Sequence, residues 1–140
     1  FMSHGTIPCG GNGIAARRFY AEFLGIGQPQ KSPTVGAFGV DAKRHWYVAC
    51  LAVGDRVPVQ PVDNRWIYGV KSADEVDQFY ETAVANKEKY RIQEINPVVE
   101  LDGVRCAQVR DLDGNWWEFQ HRDRPLGRWY DDIFARGDVA

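Results

Sequence analysis

Three absences bound this chain of 140 residues before any motif is sought. Cysteine is sparse: Cys9, Cys50 and Cys106 are odd in number, far apart and never in a C-x-x-C pair, so neither a zinc knuckle nor a disulfide framework is indicated. Thiols of this kind read as small hydrophobes in a reducing compartment, and a cytoplasmic location is the expectation. No run of apolar residues approaches ~18, so no membrane span is expected. The start, Phe1-Met2-Ser3-His4-Gly5, lacks a positive charge followed by an apolar stretch, so no signal peptide is expected. Charge of one sign is also lacking: the net charge is −2 and no basic run is present, which argues against nucleic acid as a partner.

What is present is a core-forming composition with an excess of rings. Apolar residues make up 44 % and charged residues 26 %, the balance of an ordinary folded domain rather than a disordered chain. Five Trp, six Tyr and seven Phe are many for one domain of this size. Two readings of the surplus stay open: rings lining a concave ligand site, where flat side chains bury area with few torsions to freeze, and a Trp-rich core.

Two helices resemble one another. The first follows Gly10-Gly11-Asn12-Gly13, with Asn12 able to cap it, and carries Ile14, Phe19, Tyr20, Phe23 and Leu24 before Gly25 and Gly27 end it. The second starts at Ser72, where Glu75 completes a capping box, and buries Val76, Phe79, Tyr80, Ala83 and Val84. A strand-like segment precedes each helix, at 3–9 and at 65–70, and further strands follow: 36–40 and 45–53 in the first half, then 97–101, 104–110 and 116–121 in the second. Asp102-Gly103 is a hairpin signal between two of these strands. The order strand, helix, then about three strands is read twice, which makes an α+β fold from a duplicated unit. Module one covers about 3–60 and module two about 64–121, joined by the extended segment 57–62. Modules of about sixty residues are marginal alone, so one domain over 1–121 with a shared core is expected. The tail 122–140 places Leu126, Trp129, Tyr130, Ile133 and Phe134 at the spacing of a short packing helix.

Ala16-Arg17-Arg18-Phe19-Tyr20-Ala21-Glu22-Phe23-Leu24-Gly25 resembles the first-helix "FY…LG" signature of the vicinal oxygen chelate superfamily, the group of glyoxalase I, bleomycin-resistance proteins and extradiol dioxygenases. Asp111-Leu112-Asp113-Gly114-Asn115-Trp116-Trp117-Glu118-Phe119 is similar to that family's "DPDGN..E" turn and last strand, with Leu112 where proline is usual. The resemblance implies two βαβββ modules curving into a half-barrel cleft, commonly in a homodimer. It also implies a metal site in the metal-using members, built from the first strand of each module and the glutamate after "DGN", where a divalent Zn, Ni, Fe or Mn chelates two adjacent substrate oxygens.

Carried over by position, Glu118 takes the place of that glutamate, as ligand and catalytic proton shuttle, and His4 lies near the first-strand ligand. Alternation puts Glu118 on one face with Trp116 and Gln120, against Trp117, Phe119 and His121. The second-module ligand position holds Arg65, which has no lone pair for a metal. Arg65 instead suits a clamp on a ligand carboxylate or phosphate, or a partner for Glu118. The first-half counterpart of Glu118 falls at about Cys50, which reads as a cleft residue or a buried structural thiol. The departure at Arg65 favours a metal-independent protein holding a partly aromatic small molecule with Arg65, Trp46, Cys50 and Trp116. The alternative is a glyoxalase- or dioxygenase-type enzyme using a divalent metal on Glu118 and His4.

Overall fold

The computed structural model describes residues 4–11, 15–16, 18–25, 36–41 and 46–123; the side chains of 4, 36–41, 46, 47, 49 and 52 and the tail beyond Asp123 lie outside the described set. The first sheet holds β1 (His4–Cys9), β2 (Gly36–Asp41) and β3 (Trp46–Ala52) in the order β1-β3-β2. The second holds β4 (Arg65–Gly69), β5 (Glu94–Leu101), β6 (Val104–Arg110) and β7 (Trp116–Arg122) in the order β4-β7-β6-β5. β1 pairs with β3 in parallel, as β4 does with β7, while the remaining neighbours are antiparallel. The second module is thus a complete βαβββ unit. In the first, two of the expected strands after the helix are described.

The module helices differ. α2 (Ala73–Ala85) begins as its sequence dictates: Ser72 Oγ accepts from Glu75 N at 3.3 Å, and Glu75 Oε2 accepts from Lys71 N at 2.9 Å. The buried Val76, Phe79 and Ala83 recur at helical spacing and face β5, β6 and β7. The first helix, α1 (Arg18–Phe23), is a π turn rather than the regular α-helix its stripe suggests, with Leu24 N bonded to Phe19 O at 3.0 Å. This wider turn keeps Phe19, Tyr20 and Leu24 in the core, with Phe23 packed against it. Asn12 and Ile14, expected to open that helix, lie outside the described residues. A short α3 (Lys87–Tyr90) follows α2 and ends at Arg91 in the left-handed region.

Both modules contribute to one apolar core. From the first come Ile7, Cys9, Phe19, Tyr20, Leu24, Val48 and Cys50; from the second come Val76, Phe79, Ala83, Ala107, Val109 and Trp117. Aromatic packing crosses between them: Phe23 stacks on Phe79 at 4.9 Å, and Tyr20 meets Trp117 edge-on at 5.5 Å. Phe79 in turn lies on Phe119 at 3.8 Å, nearly parallel. Asp102 and Gly103 both take positive φ, 53° and 73°, which closes the β5–β6 hairpin as the Asp-Gly pair predicts.

The edge strands β1 and β4 meet where the Trp66 ring lies against Gly5, at the place a Cβ would occupy. Any side chain at position 5 must push the indole off Trp117, on which it stacks at 6.2 Å. Gly5→Ala is therefore expected to cost roughly 1–3 kcal/mol through overpacking. Urea unfolding followed by Trp fluorescence checks this, and a variant as stable as the parent would show that the modules do not depend on that contact.

Candidate functional site

Faces of the second sheet follow from register. β7 alternates, so Trp117 and Phe119 point into the core toward α2, and Trp116, Glu118 and Gln120 point away from it, as the sequence pattern predicts. Ladder partners put Arg65 and Ile67 of β4, and Cys106, Gln108 and Arg110 of β6, on that same open face. Beyond them, Asn96, Val99 and Leu101 of β5 extend it.

Glu118 is the centre of this face and is fully buried. Its Oε2 accepts from Arg65 Nε at 2.6 Å and from Gln108 Nε2 at 2.7 Å, and its Oε1 accepts from Gln120 Nε2 at 2.9 Å. A carboxylate cannot be buried unpaired at neutral pH without large cost, and here one charged donor and two amides surround it. The two glutamine amides are oriented by their own oxygens. Gln108 Oε1 accepts from Asn96 Nδ2 at 2.9 Å, and Gln120 Oε1 accepts from Arg122 Nε at 2.6 Å. The donors therefore converge on Glu118 in a directed network.

The segment before β4 covers one end of the site. Arg65 Nη1 donates to Val62 O at 3.3 Å, and Trp116 Nε1 donates to Gln60 O at 3.1 Å. Trp116 is consequently buried, with its indole N–H committed, and is not an open stacking plate. Trp66 and Trp117 stack on each other on the core side. The Trp-rich core thus accounts for Trp66 and Trp117, and the side chain of Trp46 lies outside the described residues.

Cys50 requires a correction. β1 pairs with β3 as β4 pairs with β7: His4 faces Tyr47 as Arg65 faces Trp116, and Thr6 faces Ala49 as Ile67 faces Glu118. The first-module counterpart of Glu118 is therefore Ala49, one residue earlier than the sequence alignment places it. A slip of one residue in a strand reverses every face. Cys50 pairs with Ile7 and is buried in the core, where a hydrogen bond with the Cys9 thiol, together with burial, pushes its thiol far above the ordinary value. It is a neutral structural thiol and not part of the open face. The same register makes His4 the equivalent of Arg65, although the His4 side chain lies outside the described residues. The structure thus brings together Arg65, Trp116 and Glu118 and separates Cys50 from them.

Among the described residues, which leave out the His4 side chain, the donor set around Glu118 does not fit a divalent cation. Both carboxylate oxygens face N–H groups, and the group at the second-module ligand position is a guanidinium with no lone pair to give. Among the described residues no cluster of three or more His, Cys, Asp or Glu could hold a metal ion.

A second polar centre lies at the DLDGN turn. Asp111, the first residue of the DLDGN turn, is fully buried. Its Oδ2 accepts from Tyr20 Oη at 2.6 Å and Trp117 Nε1 at 3.0 Å; its Oδ1 accepts from Asp113 N at 2.8 Å and Asn115 N at 2.9 Å. Asn115 Nδ2 continues to Pro8 O at 3.0 Å, and Asp113 Oδ1 accepts from Gly10 N at 2.8 Å. The turn that carries the family resemblance is thus a clasp between β1, α1 and β7. The five-residue turn is legible in the sequence, but nothing local marks Asp111 as its buried acceptor, because Tyr20 and Trp117 reach it only in the fold. Gln108 carries no sequence signal, because only the β6–β7 register places it opposite Glu118.

This arrangement is the fold of the vicinal oxygen chelate proteins, the glyoxalase/bleomycin-resistance/dioxygenase group. No protein-family profile and no curated protein matches the sequence. Solved structures do. A glyoxalase/bleomycin resistance protein/dioxygenase from Alicyclobacillus acidocaldarius superposes with a TM-score of 0.63 at 17 % identity, over 89 % of this chain and 92 % of that one. The fosfomycin resistance protein FosX from Listeria monocytogenes gives 0.69 at 17 % identity, over 86 % and 92 %. TnmS3, an antibiotic binding protein from Streptomyces sp. CB03234, gives 0.60 at 14 % identity, over 88 % and 96 %. Identities this low establish a shared fold and leave function to the site. No helix among the described residues is long and apolar enough to cross a membrane.

Proposed function

We propose that this protein binds a partly aromatic small molecule on the open face of its second sheet without a metal ion. The observation that carries the reading is the ion pair between Arg65 Nε and buried Glu118, because it places a permanent cation where a ligated metal would otherwise have to sit. Exposed Ile67 and Val99 supply apolar contact beside it, and Arg65 remains partly accessible. Antibiotic binding and fosfomycin resistance, named for two proteins of this fold, are functions a small-molecule site of this kind can serve. Glu118, saturated by three donors, is poorly placed to shuttle protons to a substrate. A homodimer fits the exposed Leu101 at the sheet edge, and three free thiols fit a reducing cytoplasm.

A library of aromatic antibiotics and metabolites, read by Trp quenching and thermal shift, tests the function directly. A ligand at about 100 times its Kd adds roughly 2.7 kcal/mol of stability, or on the order of 5–12 °C in Tm for a chain of this length. Elemental mass spectrometry of chelator-free protein is expected to find no stoichiometric divalent metal. Metal present at one equivalent and lost in Glu118→Gln would replace this reading with that of a metal-dependent enzyme.

A further inference from the structure

We propose that Glu118 does not touch the ligand but positions Arg65, and that the ligand presents an oxyanion (a carboxylate, phosphate or phosphonate) to the outward N–H groups of that guanidinium. The inference rests on the small-molecule reading and specifies its ligand class and the division of labour at the site.

Accessibility separates the two members of the pair. The Glu118 side chain is 0 % exposed, whereas that of Arg65 is 28 % exposed. A molecule arriving at the open face therefore meets the arginine. Of the five N–H donors of a guanidinium, Arg65 directs one to Glu118 and one to Val62 O, and the other three have no partner among the described residues. Because Glu118 grips Nε and Val62 O takes one Nη1 hydrogen, the planar group is held at two points and cannot swing toward solvent. A pre-oriented fork of this kind matches the paired oxygens of a carboxylate or a phosph(on)ate, whereas a neutral carbonyl engages only part of it.

The amides support the same polarity. Their acceptor oxygens are taken by Asn96 and Arg122, and their N–H groups turn inward to Glu118. Among the described residues, the two amide oxygens at the centre of the face are thus already engaged by donors, while Arg65 keeps N–H groups to offer. Ile67, 50 % exposed, and Val99, 51 % exposed, flank it and suit the hydrocarbon part of an organic anion.

The test follows the Arg65 side chain by NMR in full-length protein labelled with 15N-arginine, its Nε–H signal assigned by its loss in Arg65→Lys. Methylphosphonate and benzoate are the anionic probes; dimethyl methylphosphonate and benzamide are their neutral counterparts. The signal is expected to move saturably with at least one anion and with neither neutral compound, and which anion acts tells phosphonate from carboxylate. Glu118→Gln keeps the shape of the buried side chain but removes its charge, and is expected to weaken anion binding by about 10- to 100-fold, the range for loss of one charge-assisted contact. Glu118→Asp is expected to restore part of it. The double variant Arg65→Gln with Glu118→Gln removes both charges together, so it should stay folded and lose the anion-dependent rise in Tm that the parent shows.

Equal shifts with the neutral compounds, or no shift with either anion, would overturn the oxyanion assignment. Unchanged affinity in Glu118→Gln would overturn the positioning role. A neutral library ligand that binds while the Arg65 signal stays still defeats this inference alone, whereas a library without any ligand defeats the binding function itself.

Discussion

Asp111→Ala is expected to be the most damaging single substitution in the described chain, at roughly 4 kcal/mol. The change strips the acceptor from Tyr20, Trp117 and two backbone N–H groups at once, in a site with no water access. Each buried donor left unsatisfied costs about 1–3 kcal/mol, and relaxation recovers part of the total. For a chain of this length the corresponding fall in Tm is on the order of 10–15 °C. Asp111→Asn is not a harmless substitute, because an amide NH2 in place of Oδ2 would face the Trp117 N–H. The two variants also differ from the parent in pH response. Burial raises the Asp111 carboxyl above the ordinary aspartate value, while its hydrogen bonds from Tyr20 and Trp117 pull the other way. A folded-state value above the unfolded one means that the folded protein takes up the proton first. This contribution to stability is full below the unfolded value and is lost as pH rises through the folded value. Urea unfolding across that window should show the parent gaining stability on acidification and Asp111→Asn lacking that component. Equal slopes would mean that Asp111 ionises as easily folded as unfolded.

Arg65→Ala is expected to cost about 2–4 kcal/mol, since it leaves Glu118 buried with two amide donors and no counter-charge. Breaking one side of a buried pair is more costly than replacing both sides, so adding Glu118→Gln to Arg65→Ala should recover most of the loss. The partial exposure of Arg65 sets the lower end of the range, because water can enter where the guanidinium was. Thermal melts of the single and double variants close the cycle. Additive losses would show that the pair does not couple, and with it the argument for a built-in cation would fail.

How much of this was legible in the chain depends on the range of the interaction concerned. Local signals carried their elements: the Ser72–Glu75 cap, the Asp102-Gly103 turn and the alternation through Trp116, Glu118 and Gln120 all reappear in the structure. Each depends on residues a few positions apart, where backbone geometry alone sets the outcome. Resemblance over the "FY…LG" and "DLDGN..E" segments likewise led to the fold seen in the solved structures. Helix α1 marks the first limit, since its stripe could not tell an α-helix from a π turn whose bonds answer to core packing.

Longer-range facts were decided by tertiary structure. Sequence alone placed Arg65 and Glu118 in the first and last strands of the second module and offered their pairing as one of two roles; parallel register of β4 with β7 brought them to 2.6 Å. Cys50 looked like the counterpart of Glu118 because counting along the chain is uncertain by one residue, and one residue is enough to exchange the open face for the core. Trp66, Trp116 and Trp117 looked alike in composition; register and the covering segment at Gln60 sent two to the core stack and sealed the third beneath a carbonyl. Asp111 shows the same division most sharply. Its turn was readable from five adjacent residues, but Tyr20, its partner across the module boundary, lies 91 residues away. Periodicity and turn chemistry are properties of neighbours, so the chain alone determined the elements and their faces. The pairing of distant side chains depends on how two sheets close around a shared core, and only the folded molecule decides it.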